Sequence, residues 1–241
     1  MEGKPMTDAY RREYYASRGF FDEGTIRYGR KEKLFNLQWA SPWAKRNLLN
    51  GESKRALDAG CGVGHNARFL QELGYRVTAV DVSEYAVQAA RECIPTSLAN
   101  EIEWRVADLD CDTLPKGFDL VICWEVLEHV RDPRAALAKL YSALAPGGTL
   151  VVTTPNAFGL SHLLGPRDPT HVSVHSSLWW AREARRLRPR RMACRAMMFW
   201  DHMLPWLRSH PRVLVTQVPL LGFRIRLVMV AKSSDAELPL V

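Results

Sequence analysis

From Arg55 onward, short apolar runs alternate with segments of helical spacing. Arg55-Ala56-Leu57-Asp58 reads as a short strand that ends in a glycine-rich turn. Residues 65–73 place Ala67, Phe69, Leu70 and Leu73 on one face of a helix, and Gly74 stops it just past the C-cap. Tyr75 to Val80 reads as a second strand, closed by Asp81. Ser83 is an N-cap, and Glu84 lies in the first turn of a helix to about 93. A third strand is predicted near 102–107 and a fourth from Phe118 to Cys123. Pro133 starts a helix to about 144. Pro146-Gly147-Gly148 turns into a fifth strand, Thr149 to Thr153. Past Pro155 come a helix over 177–187, a strand from Arg191 to Met198 and an alternating final strand from Phe223 to Ala231. Alternating strands and helices predict an α/β fold, a mostly parallel sheet with helices on both faces. Upstream, residues 1–50 are polar and aromatic. They predict helices around 7–17 and 31–49, with Gly19, Gly24 and Gly29 breaking the run.

The chain is divided accordingly into an N-terminal helical cap, 1–50, and a domain over 51–241 with a substrate-cap insert near 156–212. Its 241 residues fit one domain, with or without an insert. No apolar run approaches the roughly 18–20 residues of a membrane span. Met1-Glu2-Gly3-Lys4-Pro5 lacks the apolar core of a signal peptide. Cysteines at 61, 93, 111, 123 and 194 form no Cys-x-x-Cys pair, which argues for reduced thiols in the cytoplasm. The net charge, 33 − 26 = +7, permits an anionic partner without demanding one. Much of the excess is the run Arg182, Arg185, Arg186, Arg188, Arg190, Arg191 and Arg195. Its first three share a helix face that would meet phosphate or simply be solvated. Met and Trp in 197–207 would line an apolar acceptor site, pack in the core or form a dimer contact.

The sharpest motif is Asp58-Ala59-Gly60-Cys61-Gly62-Val63-Gly64, set between a strand and a helix. Glycines there let a ligand reach the backbone, and helix N-terminal amides favour a negative group. An acid ending the next strand, Asp81, can accept both hydroxyls of a ribose. A second constellation, Glu125-Val126-Leu127-Glu128-His129, follows the fourth strand. Sheets of this kind hold ligands at that end. A loop after the fifth strand carries His171 and His175 and could return over the same edge. Two carboxylates with two imidazoles suit a divalent cation with open positions.

The glycine motif, Val80-Asp81-Val82-Ser83, Asp119-Leu120-Val121-Ile122 and Leu144-Ala145-Pro146-Gly147-Gly148-Thr149-Leu150, in that order, resemble a class I methyltransferase that uses S-adenosylmethionine. The resemblance covers roughly 55–155. It implies a Rossmann-like sheet of seven strands, the last antiparallel and inserted beside the fifth. It also implies roles. Gly60, Cys61, Gly62 and Gly64 form the loop under the methionine part, and Asp58 orients its ammonium. Asp81 holds the ribose and Val82 packs on adenine. Asp108 bonds the adenine amine beside Leu109, and Trp124 lies near the sulfonium. Residues 14–46 separately resemble the lead-in of the ubiquinone-biosynthesis branch, where Arg46 could face the cofactor carboxylate, or they simply cover the sheet with aromatic residues.

The Glu-x-x-Glu-His pattern resembles two metal-using branches. One is the ubiquinone-biosynthesis O-methyltransferases, the nearer of the two, and the other the small-RNA 3′-terminal 2′-O-methyltransferases. On that likeness Glu125, Glu128, His129 and His171 would hold Mg²⁺, with His175 second to His171. Metal-free relatives carry similar residues, and there His129 or His171 would act as general base. The expected function is S-adenosylmethionine-dependent O-methylation of a small-molecule hydroxyl. N-methylation of an amine, methylation of RNA and a non-catalytic binding module remain as alternatives.

Overall fold

A computed structural model of the chain describes residues 10–17, 23–93, 102–159, 168–199, 215–217, 222 and 224–233. Helix α1 (Arg12–Ser17) and helix α2 (Glu23–Ala44) precede β1 (Arg55–Ala59), α3 (His65–Glu72), β2 (Arg76–Asp81), α4 (Glu84–Cys93), β3 (Ile102–Val106) and β4 (Phe118–Trp124). A single 3-10 turn, Leu127–His129, then leads to α5 (Pro133–Ser142) and β5 (Leu144–Pro155). The remainder is α6 (Ser177–Arg186), β6 (Arg191–Phe199), β7 (Val215–Gln217) and β8 (Arg224–Val230).

The strands form one sheet in the order β3-β2-β1-β4-β5-β8-β6-β7. β1 to β5 are mutually parallel, and β8 runs antiparallel between β5 and β6. Seven of these strands are the expected set, including the late antiparallel strand beside the fifth. The eighth, three-residue β7, pairs at the edge with Met197–Phe199 and carries no sequence signal of its own. β5 begins five residues before its expected start because Leu144 already pairs with Phe118. Gly147, at φ +72°, absorbs the irregularity, and a side chain on Gly148 would strike the Phe118 carbonyl. β1 is flanked by β2 on one side and β4 on the other, so the chain reverses its direction across the sheet there. Such a switch point leaves a crevice beyond the strand C-termini.

Alternation along the strands feeds two cores. Ala56, Val77, Ala79, Leu120, Ile122, Val151 and Val228 pack with Leu37, Ala40, Phe69, Leu70, Val87 and Ala90 of α2, α3 and α4. Leu57, Val80, Val121, Leu150, Val152, Leu227 and Met229 pack with Leu137, Leu140, Trp180 and Ala184 of α5 and α6. Asp132 caps α5 by accepting from the Arg134 and Ala135 amides, with Pro133 in the first turn.

The N-terminal segment departs from the reading above. α2 runs unbroken through Gly24 and Gly29, at a cost of about 1 kcal/mol per glycine. It ends at Ala44, where Lys45 takes a left-handed φ of +50° and the Arg46 amide bonds back to the Ser41 carbonyl. The packing of its second half against the sheet explains why it tolerates the glycines. Residues 7–9 of the expected first helix lie outside the described residues, as do 160–167 and 200–212 of the expected insert. No helix among the described residues is long and apolar enough to cross a membrane.

Leu37 is fully buried between α2 and the sheet. Leu37→Ala should lower unfolding free energy by about 2–5 kcal/mol, read as a drop in urea midpoint at constant m. A change under about 0.5 kcal/mol would mean that α2 is not part of the folded core.

Candidate active site

A cavity of about 440 Å³ opens at the switch point. One wall is the loop after β1. Gly60, Gly62 and Gly64 have φ of +79°, +51° and +87°, a region that other residues rarely enter. A Cβ on Gly60 would overlap Val126, so the loops after β1 and β4 meet at a distance only glycine allows. A Cβ on Gly62 would have Tyr15 Cε1 as its nearest neighbour at 3.4 Å, since that face is turned to the cavity.

Asp81 fixes this wall. Its Oδ2 accepts from the Gly62 amide at 2.8 Å and its Oδ1 from the Ser83 amide at 2.9 Å. Burial raises its pKa from the usual carboxylate range, and those amides pull it back. Each oxygen keeps a lone pair beyond its amide bond. Val82, Ala107, Asp108 and Leu109 continue the wall along the tips of β2 and β3. Trp124 lies at the tip of β4, also on the cavity. The cavity is thus lined by Gly60, Cys61, Gly62, Asp81, Val82, Asp108, Leu109 and Trp124 together. Two of the expected residues stand back from it. Gly64 caps α3, its amide bonded to the Cys61 carbonyl. Asp58 is sealed beneath the loop with no exposed surface.

Asp58 is the least compensated acid in the cradle. Neither oxygen closes a well-formed hydrogen bond, although the Asn66 side chain and the Ala67 amide stand near enough to favour the anion. Burial pushes its pKa up to about 7, against the opposing pull of Lys33. Lys33 in turn is lowered by burial to about 8, with Asp58 the main influence holding it up. Lys33 lines the cavity from α2. The expectation that Arg46 faces the cofactor is not met by the cavity lining. Arg46 follows the turn that ends α2 and lies 3.8 Å from Asp119, outside the cavity lining. Nothing in the sequence marked Lys33, because only the helical register turns it inward.

Of the second constellation, Glu125 and His129 line the other end of the cavity, and Glu128 and His171 stand outside its lining. Glu128, His129 and His171 each offer a ligand atom, and these lie within 4.8 Å of one another. Glu128 is buried, accepts from Thr154 Oγ1 at 3.0 Å, and is pushed well above its usual range by burial and then by Glu125. His129 Nδ1 lies 3.0 Å from the Thr170 carbonyl. A carbonyl can only accept, so Nδ1 carries the proton and Nε2 keeps its lone pair. Burial lowers the His129 pKa, which favours the neutral ring. The His171 ring packs edge-on at 4.8 Å from that of His129, and His175 stacks instead on Trp179 at 3.8 Å.

Glu125 does not join that group. Its backbone is at φ +57°, and its Oε2 faces Arg224 Nε at 3.3 Å. Arg224, which the sequence did not single out, is also paired with Glu32 of α2. Buried Arg226 stands behind, bonded to Asn36. Tyr10, Tyr14 and Tyr15 of the N-terminal segment close over the glycine loop, and Tyr10 meets the His129 ring edge-on at 5.7 Å. Away from the cavity, Arg134, Arg182 and Arg186 all pair with Glu183, whose carboxylate they cover. Those arginines form a surface ion cluster around the buried Glu183 carboxylate.

Residues 31–196 match the family described as a methyltransferase domain. A fission yeast (Schizosaccharomyces pombe) ubiquinone biosynthesis O-methyltransferase is 38% identical over 130 residues, 53% of this chain and 47% of its own length. Its namesake from Idiomarina loihiensis is 37% identical over 121 residues, 49% of each chain. The chain thus spans about half the length of these curated relatives. Among solved structures, magnesium protoporphyrin IX methyltransferase from Synechocystis, with bound S-adenosylhomocysteine, superposes with a TM-score of 0.62 at 21% identity, covering 95% of this chain and 100% of that one. Phosphoethanolamine N-methyltransferase 2 from Haemonchus contortus, with S-adenosylmethionine, gives 0.67 at 17%, covering 96% and 61%. These two likenesses concern the fold.

The Asp58 environment gives a pH test. Its folded pKa near 7 lies above the unfolded value near 4, so its contribution to stability is full below pH 4 and is lost as pH rises through 7. Asp58→Asn should remove that decline, which is at most about 1.4 kcal/mol per pH unit. Urea midpoints at several pH values between 4 and 7.5 should show the variant gaining on the wild type as pH rises. Parallel profiles would contradict the assignment.

Proposed function

The chain belongs to the class I S-adenosylmethionine-dependent methyltransferases, and from that premise we propose that it methylates a hydroxyl of a small molecule. The observation that carries this reading is His129 on the wall of the cavity that also holds Asp81, its Nδ1 held by the Thr170 carbonyl. The names of the relatives, O-methyltransferases, support the same choice of atom.

When bound, S-adenosylmethionine supplies the transferable methyl on a sulfonium. The chain's part is to bind, align and deprotonate. We assign Asp81 to the ribose hydroxyls, Val82 and Leu109 to the adenine faces, and Asp108 to the adenine amine. Asp58 acts on the ammonium from below the glycine loop, and Lys33 meets the carboxylate. Trp124 and the tyrosines of the N-terminal segment exclude water from the sulfonium end. His129 Nε2 takes the hydroxyl proton, and the Thr170 carbonyl holds the ring by its other nitrogen. His171 packs against that ring and is a second candidate base.

A cation-assisted version is favoured by one observation, the convergence of Glu128, His129 and His171. Hard oxygen with imidazole suits Mg²⁺ or Mn²⁺. These three residues would hold the ion, and it would lower the pKa of an acceptor hydroxyl. The fit is partial, because Glu125 is engaged elsewhere and burial favours the protonated form of Glu128.

Calorimetry separates these roles. Asp81→Ala should weaken S-adenosylhomocysteine about 10- to 150-fold, the equivalent of roughly 1.5–3 kcal/mol of charge-assisted bonds. Lys33→Met should weaken S-adenosylhomocysteine but leave 5′-methylthioadenosine, which lacks the amino-acid end, unchanged. Unaltered affinity in a folded Asp81→Ala protein would sink the cofactor assignment, and an equal loss of both ligands would sink that of Lys33. Transfer of labelled methyl to a pool of phenols and alcohols, with and without EDTA, tests the reaction. Label on amines alone would refute O-methylation, and full turnover in EDTA would refute the cation.

A further inference from the structure

Glu125 and Glu128 are three residues apart, and their carboxylates serve different partners. Glu128 turns inward to Thr154, beside His129 and His171. Glu125 has a left-handed backbone, fixed by the bond from its amide to the Thr153 carbonyl at 2.9 Å. Non-glycine residues pay for that conformation, so something must hold it. Across the cavity wall stands Arg224, the first residue of β8, with its Nε 3.3 Å from Glu125 Oε2. Arg224 is itself anchored by Glu32, which also faces Arg226 at 3.4 Å. Glu125 and His129 line the same cavity. Glu125 borders the cluster without belonging to it.

We propose that Arg224 is a latch that holds Glu125 out of the cation cluster, so that the chain presents a three-ligand site, Glu128–His129–His171, and not four ligands. Arg224 is then a positioning residue that sets divalent-cation affinity without touching the ion. Fewer protein ligands leave more positions on a hard cation for water and acceptor oxygens, at the expense of affinity. This rests on the cation reading of that cluster given above.

The test is Mn²⁺ binding to the full chain, followed by the loss of the free-ion paramagnetic resonance signal. Folding of each variant is checked by S-adenosylhomocysteine calorimetry. R224M should bind Mn²⁺ at least tenfold more tightly than the wild type. R224M/E125Q should return to within about twofold of the wild type, because the gain comes from Glu125. E125Q alone should stay within about twofold, and E128Q should lose at least tenfold. If R224M fails to fold, R224M/E32Q, which also removes the acid that Arg224 neutralises, takes its place. The E125Q comparison needs no change at Arg224.

Tightening that persists in R224M/E125Q would reflect removal of a positive charge and would overturn the latch. So would an E125Q loss as large as that of E128Q, or an R224M affinity equal to the wild type while E128Q weakens. No Mn²⁺ binding by any variant would overturn both the latch and the cation reading.

Discussion

The carboxylate of Asp81 accepts the amide of Gly62 with one oxygen and that of Ser83 with the other. Those bonds join the loop after β1 to the loop after β2, and the rest of the crevice is arranged around them. The amides of Gly60 and Cys61 add bonds to the Val80 carbonyl, at 2.8 and 2.9 Å. The glycine loop is thereby pinned at three successive residues. The left-handed backbone at Gly60 and Gly62 follows from that pinning, and so does the close contact with Val126 that brings in the loop after β4. A buried carboxylate costs several kcal/mol unless it is bonded, and Asp81 meets that cost with backbone amides alone. Its outer lone pairs remain for a ligand.

Beneath the loop, Asp58 lacks such compensation, and it shares its field with Lys33 across the sheet–helix boundary. A cationic ammonium placed above the loop would relieve Asp58, and an anionic carboxylate near α2 would relieve Lys33. Asp58 and Lys33 therefore suit the amino-acid zwitterion of the proposed cofactor. At the far end the logic differs. Glu32, Arg224, Arg226 and Asn36 link α2 to β8 through buried polar contacts, and Glu125 is tied into them. α2 thus packs on the sheet with its apolar face and lines the His129 end of the crevice with its polar one.

Much of this was legible in the sequence. The alternation from Arg55 to Thr153 read correctly because each strand is short, apolar and bounded by a polar or glycine signal. Asp58, Asp81 and Asp108 stand at strand ends, where the chain itself marks the crevice. The unbroken α2 was not legible, since local propensity argued for breaks at Gly24 and Gly29 and tertiary packing overrode it. Lys33 was missed, and Arg46 preferred, because the inward face of a helix is settled by what it packs against. The pairing of Glu125 with Arg224 joins residues 99 positions apart. No local pattern encodes it, and the motif Glu-x-x-Glu-His read alone groups Glu125 with the wrong partners. The short edge strand β7 depends only on its neighbour β6.

The claim at the centre of this account is that one continuous crevice, pinned by Asp81, holds the cofactor with its reactive sulfur toward His129. A crystal structure of the chain with S-adenosylhomocysteine tests it most directly. The account predicts both ribose hydroxyls within hydrogen-bond distance of Asp81, the adenine beside Asp108 and Leu109, and the sulfur facing Trp124 and His129. A ligand bound elsewhere, or reversed with its adenine at the His129 end, would contradict it.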